Sequence, residues 1–198
     1  MEKKAKKDYQ THVMTERTHL SQVRRAFTKS LDGRHIDPGL INFYVTCCHY
    51  LNYSLNRLVA QDYILHDLLV PHVEPSNLEY IGKLESLSVG LKGMEEALKK
   101  LDKAKEDLIT SGLYEVDAFK KEAHDFLEVF LNMLASNRHS TFDLEEEVFQ
   151  PNDWEKIAGV TQESIQIENQ LYQDVKRSAP EGCNPQSFPP IGHNQQPK

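Results

Sequence analysis

LEYIGKLESLSVGLKGMEEALKKLDKAKEDL, residues 78 to 108, sets Tyr80, Leu84, Leu87, Leu91, Met94, Leu98, Leu101 and Leu108 three or four positions apart. That spacing lines apolar side chains along one stripe of an α-helix and leaves charged residues for the other faces. Only Lys105 breaks the stripe, near its end. Ser76-Asn77-Leu78-Glu79 has the spacing of a capping box, and Ser111-Gly112 closes the element. The strict three-four rhythm favours near-parallel packing against other helices, at crossing angles of about 20°.

Working outward, the same period recurs on both sides. A preceding helix carries Ile41, Tyr44, Cys48, Leu51, Leu55, Leu58, Asp62, Leu65 and Leu69, starts at Asp37-Pro38 and ends before Pro71. An earlier one carries Tyr9, Val13, Glu16, Leu20, Val23, Phe27 and Leu31, and stops at Asp32-Gly33. After Gly112, Phe119, Ala123, Phe126, Phe130, Met133, Asn137, Thr141, Leu144 and Val148 form a fourth stripe that reaches about Phe149. Four long amphipathic helices on short connections predict an all-α, antiparallel up-down four-helix bundle over residues 8–150. Residues 1–7 read as a basic, flexible N-terminus. Residues 151–178 read as a short additional C-terminal capping helix or pair, anchored by Trp154 and striped by Ile165, Ile167, Leu171 and Val175. Pro, Gly, Gln and Asn without periodicity predict a disordered tail over 179–198.

The 198 residues allow one well-buried core, and 39% hydrophobic with 27% charged residues suits a soluble globular protein. No apolar run approaches the roughly 18 to 20 residues of a membrane span. A net charge of −7 argues against a nucleic-acid binder, which presents a basic face. Three cysteines, two of them adjacent, make no disulfide framework. Cys47 and Cys48 point about 100° apart on a helix, which ill suits one shared ion. These features predict a cytoplasmic location.

Chemistry is sought where polar residues interrupt the stripes: Glu16, Asp62, and Asn137 with Thr141. A buried carboxylate without a partner costs several kcal/mol, so it must be paired, protonated or metal-bound. Glu16-x-x-His19 has the Glu-x-x-His spacing of carboxylate-bridged di-iron bundles, and Asp62-x-x-x-His66 puts two potential ligands one turn apart. A salt bridge to Arg24, Arg25 or Arg57 would satisfy either acid equally well. On an unbroken fourth helix His139 and Asp143 face away from the core; a kink near Asn137 would turn them inward. There is no Gly-x-Ser-x-Gly and no phosphate-cradling glycine loop, so no nucleophilic or nucleotide chemistry is indicated.

Phe126–Pro151, FLEVFLNMLASNRHSTFDLEEEVFQP, and Gln61–Pro71, QDYILHDLLVP, resemble the fourth and second helices of hemerythrin-like (HHE) domains. The resemblance implies a metal-binding bundle in which His19, His66 and His139, with Asp62, Asp143 and Glu146, stand in for ligands, joined by Glu16 from the stripe reading. Asp62-x-x-x-His66 inverts the family's order, and residues 77–111 hold no histidine. The implied cofactor is therefore iron in a mononuclear or incomplete di-iron site. Two functions are expected from these readings. The first is a non-enzymatic interaction or scaffold protein, working through a protein partner or self-association, with Tyr50, Tyr53 and Tyr63 as exposed contact residues. The alternative is a hemerythrin-like bundle that binds or senses O2 or NO, or handles iron.

Overall fold

Among the described residues of a computed structural model, seven α-helices and three short 3-10 turns make up the regular structure and no strand occurs. The backbone is described at 2–33, 38–137 and 141–189, and side chains at 14–33, 39–135 and 141–189. The helices are α1 (Glu2–Leu31), α2 (Pro38–Leu69), α3 (Leu78–Ser111), α4 (Val116–Asn137), α5 (Phe142–Val148), α6 (Pro151–Ala158) and α7 (Gln162–Ser178).

The chain divides into two compact units. The first comprises the described parts of 1–54, 102–121 and 160–198; the second comprises 55–101 and 122–159. Phe27, Tyr44 and Phe119 centre the first unit, with Phe27 edge-on to both partners and Tyr44 stacked on Phe119. The Tyr44 hydroxyl donates to the Ser30 carbonyl at 3.1 Å, and Lys120 Nζ donates to the Gly33 carbonyl at 2.9 Å. Both bonds fall at the end of α1, where the Ser30 carbonyl also accepts from the Gly33 amide at 3.3 Å. In the second unit Leu69, Leu84, Leu144, Phe149 and Ile157 form the buried cluster, flanked by Leu65, Leu68, Val73, Tyr80 and Val148. Trp154 anchors α6 edge-on to Phe149 with ring centroids 5.2 Å apart, and Gln61 Nε2 donates to the Ala158 carbonyl at 2.7 Å.

Local chemistry sets the helix ends. Gly112 (φ 62°) and Gly159 (φ 50°) take the left-handed conformation that terminates α3 and α6. Gln150 with Asp153, and Thr161 with Ser164, form reciprocal caps on α6 and α7. The cap of α3 is one residue later than expected: Asn77 Oδ1 accepts from the Tyr80 amide at 3.2 Å, while Glu79 is held by Lys83 at 2.6 Å.

Several expectations need correction. The helix at the N-terminus begins at Glu2, not near Asp8. The fourth helix stops at Asn137 and a separate α5 follows, because Ser136, Asn137 and Thr141 favour turns and caps over helix interior. The segment from 179 is ordered as far as Pro189, with Cys183 and Pro185 buried and a 3-10 turn at Pro185–Ser187. Asp37, the expected cap of α2, lies outside the described residues.

Candidate functional site

The most unusual side chain of the first unit is Glu168, a carboxylate on α7 that is 0% exposed. Thr161 and Ser164 fix the start of α7, and Ser164, Glu168, Tyr172 and Val175 then fall on its buried face at helical spacing. Tyr50 of α2 donates its hydroxyl to Glu168 Oε1 at 2.7 Å, and His19 Nδ1 of α1 lies 3.0 Å from the same oxygen. A carboxylate oxygen that accepts at this contact takes the proton from His19 Nδ1, which selects that tautomer of the ring. The other oxygen, Oε2, is enclosed without a hydrogen-bond partner.

The neighbours complete a polar seam. His19 stacks on Tyr172 at 3.7 Å between centroids and 9° between planes. Tyr172 donates to Gln22 Oε1 at 2.5 Å, and Gln22 Nε2 donates to the Phe188 carbonyl at 2.9 Å. Tyr53 donates to the Ser164 carbonyl at 3.3 Å. Burial, then the Glu168 charge, pushes the Tyr50 phenol well above the usual tyrosine range, with Glu16 adding to the rise. The same two causes push Tyr172 up to about 12. Partners rise together along α1 and α7 (His19 to Glu168, Gln22 to Tyr172), so these helices run parallel. They fall along α2 (Thr46 to Ser178, Tyr53 to Ser164), so α2 and α7 run antiparallel.

A second buried ion sits on α3. Lys105 reaches Asp102 at 2.6 Å and Glu106 at 3.1 Å, and both acids are substantially exposed. Burial pulls its pKa down, but the two carboxylates outweigh burial and hold it above the ordinary lysine value. The aliphatic stem fills the stripe while the ammonium leaves by the rim. Cys47, Cys48 and Cys183 are free thiols, all buried. Burial pushes each above its ordinary value, which makes them poor nucleophiles. A small cleft of 270 Å³ between α2 and α7 is lined by Asn42, Thr46, His49, Leu171, Asp174, Arg177 and Ser178. It is smaller than most ligand pockets, which span about 300 to 1,000 Å³.

Of the residues singled out from sequence, Glu16 is buried and His19 is half-buried against Glu168, both in the first unit. Asp62 and His66 are half-buried in the second unit, where His66 Nδ1 lies 3.1 Å from Asp67 Oδ1. Asp143 and Glu146 are exposed on α5, and His139 lies outside the described residues. A hemerythrin-like iron centre needs several donors converging on one point. Among the described residues no three His, Cys, Asp or Glu side chains come together to hold a metal.

The tyrosines expected at the surface require a correction. Tyr50 is fully buried, and Tyr53 and Tyr63 are half-buried with hydrogen bonds to the Ser164 carbonyl and Glu95. Glu168 is hidden in the sequence because Ile165 and Ile167 mark a different face of α7, and Ile167 is exposed. The available signal was Tyr172 and Val175, which carried back one turn at a time reach Glu168 and Ser164 below the Thr161 cap.

No helix of the described residues is long and apolar enough to cross a membrane. In comparisons with known proteins the chain matches no family model, no curated protein and no solved structure.

Proposed function

We propose that this chain is a non-enzymatic helical protein that acts through protein–protein contacts. In this reading α1 to α4 pack as an antiparallel up-down bundle with α7 as a fifth helix. Within the first unit, the antiparallel run of α2 and α7 supports that arrangement. One observation carries the functional reading. At the end of α3 and in the 3-10 turn after it, Ile109 is 51% exposed, Leu113 49% and Tyr114 96%. An aromatic ring and two aliphatic side chains left in water within six residues support a contact role, since tyrosine is enriched at such surfaces.

The interior supports the same reading. Glu168 Oε1, Gln22 and Lys105 are bonded to groups of this chain, as structural polar residues are. The test is light scattering coupled to size exclusion at two concentrations, on the native chain and on a Leu113→Ser, Tyr114→Ser variant. The native mass is expected to exceed 22.8 kDa and to rise with concentration, and the variant to stay at 22.8 kDa. A native chain that is monomeric at both concentrations, with no co-purifying partner, counts against the proposal.

A further inference from the structure

The C-terminal segment lies on α1 and α7 in a way that defines a receptor surface. Its 3-10 turn at Pro185–Ser187 packs against both helices. Asn184 (φ −63°, ψ 123°) and Phe188 (φ −94°, ψ 137°) on either side are extended, the conformation of proline-rich ligands. Three α1 side chains at positions 22, 25 and 29 donate to its backbone carbonyls. Gln22 donates to Phe188 at 2.9 Å, Arg25 to Pro189 at 3.4 Å and Lys29 to Gly182 at 2.8 Å. Cys183 and Pro185 are the side chains it buries, and Lys29 Nζ stands 6.0 Å from the Phe188 ring centroid.

Two features of these contacts point beyond a mere terminus. First, the donors read carbonyl oxygens, which any peptide supplies, while side-chain selection is confined to a small buried residue, a buried proline and a ring beside a cation. Second, an extended proline-containing peptide loses little conformational entropy on docking, so few contacts suffice to hold it. We infer that the α1–α7 surface is a peptide-binding groove for a partner protein's segment of the pattern small-x-Pro-x-x-aromatic-Pro. The chain's own Cys183-to-Pro189 occupies it in cis as an internal competitor. A tethered competitor acts at an effective concentration of about millimolar, so a partner segment binds well only when the strap is displaced. This surface shares no residue with the Ile109–Tyr114 end and stands or falls independently of it.

The test uses the full-length chain and a fluorescent peptide with the sequence of residues 181–189. A Pro185→Asp, Phe188→Ser variant puts a charge where proline is buried and removes the ring, which frees the groove. Release is read independently by the rate at which Cys183 reacts with a thiol reagent, scored by mass spectrometry. The released variant is expected to bind the peptide at least tenfold tighter than the native chain by anisotropy. Adding Arg25→Met and Lys29→Met to it is expected to weaken binding at least tenfold. A variant whose Cys183 reacts freely but which binds peptide no better than the native chain overturns the inference. So does peptide binding indifferent to Arg25 and Lys29. If the variant loses its helical circular dichroism, the native chain decides by hydrogen exchange. Excess peptide must raise exchange at 182–189, and unchanged exchange refutes the groove. Dimers of the native chain with exchanged straps would assign the surface to a second copy and overturn the partner reading.

Discussion

Replacing Tyr50 by Phe removes one hydroxyl and little else, and it isolates the bond that makes a buried Glu168 tolerable. A hydrogen bond to a charged group contributes about 1.5 to 3 kcal/mol, against about 1 kcal/mol for a neutral pair. Glu168 is fully enclosed and its Oε2 has no partner, so without Tyr50 the carboxylate keeps only the His19 contact. Tyr50→Phe should therefore destabilise the protein by about 2 to 3 kcal/mol, a large share of the 5 to 15 kcal/mol typical of a domain. In a Glu168→Gln background the same change breaks a neutral bond and should cost about 1 kcal/mol. The cycle thus predicts a coupling of about 1 to 2 kcal/mol between the two sites. Urea unfolding followed by circular dichroism resolves this, since about 2 to 3 kcal/mol moves the midpoint by roughly 1 M. Equal costs in the two backgrounds, or a Tyr50→Phe cost under about 0.5 kcal/mol, would show that Glu168 is not a dry, Tyr50-held carboxylate.

Further outcomes follow from the backbone and the buried phenols. Gly82 and Gly93 lie inside α3 with open space where a Cβ would go, so Gly→Ala at each should stabilise by about 0.5 to 1 kcal/mol. Gly159→Ala forces a side chain onto φ 50° and should cost about 1 to 2 kcal/mol in the same melts. Tyr44 and Tyr172 are pushed up to about 12, and Tyr50 rises in the same direction, each chiefly by burial. A pKa raised in the folded state means the fold binds the proton more tightly. The associated stability is intact below the unfolded tyrosine value of about 10 and is lost as pH climbs from there towards 12. Absorbance near 295 nm should show these buried phenols ionising only as helicity disappears. Buried tyrosines that ionise at pH 10 with the helices intact would contradict their placement.

Elements with a strong period were legible before any coordinates. The α3 stripe from Leu84 to Leu108 is buried as read, and so are Leu20, Val23, Phe27 and Leu31 of α1. What the pattern missed was a second neighbour. The period of α2 runs through one stripe, Tyr44, Cys48, Leu51 and Leu55. The first unit also covers an adjacent stripe, Phe43, Cys47, Tyr50 and Ser54, because α7 lies against it. Tyr50 therefore looked like an exposed contact residue and is instead a core donor. Asp62 occupies a stripe position yet is only half-buried, so period alone overstated its burial, whereas Glu16 is as enclosed as its position implies. The C-terminal segment has no period to read. It is ordered by carbonyls bonded to Gln22, Arg25 and Lys29, and composition cannot register contacts made through the backbone.

The central claim is that the interior acids and histidines serve the fold and that function is exercised at the surface. Elemental analysis of tag-free protein, from cells grown with added iron, manganese and zinc, tests it most directly. The account predicts less than about 0.1 metal ion per chain, since a metal site needs several converging deprotonated ligands. A content near one or two ions per chain, lost when Glu16 or His19 is replaced, would contradict it and favour the iron-bundle reading.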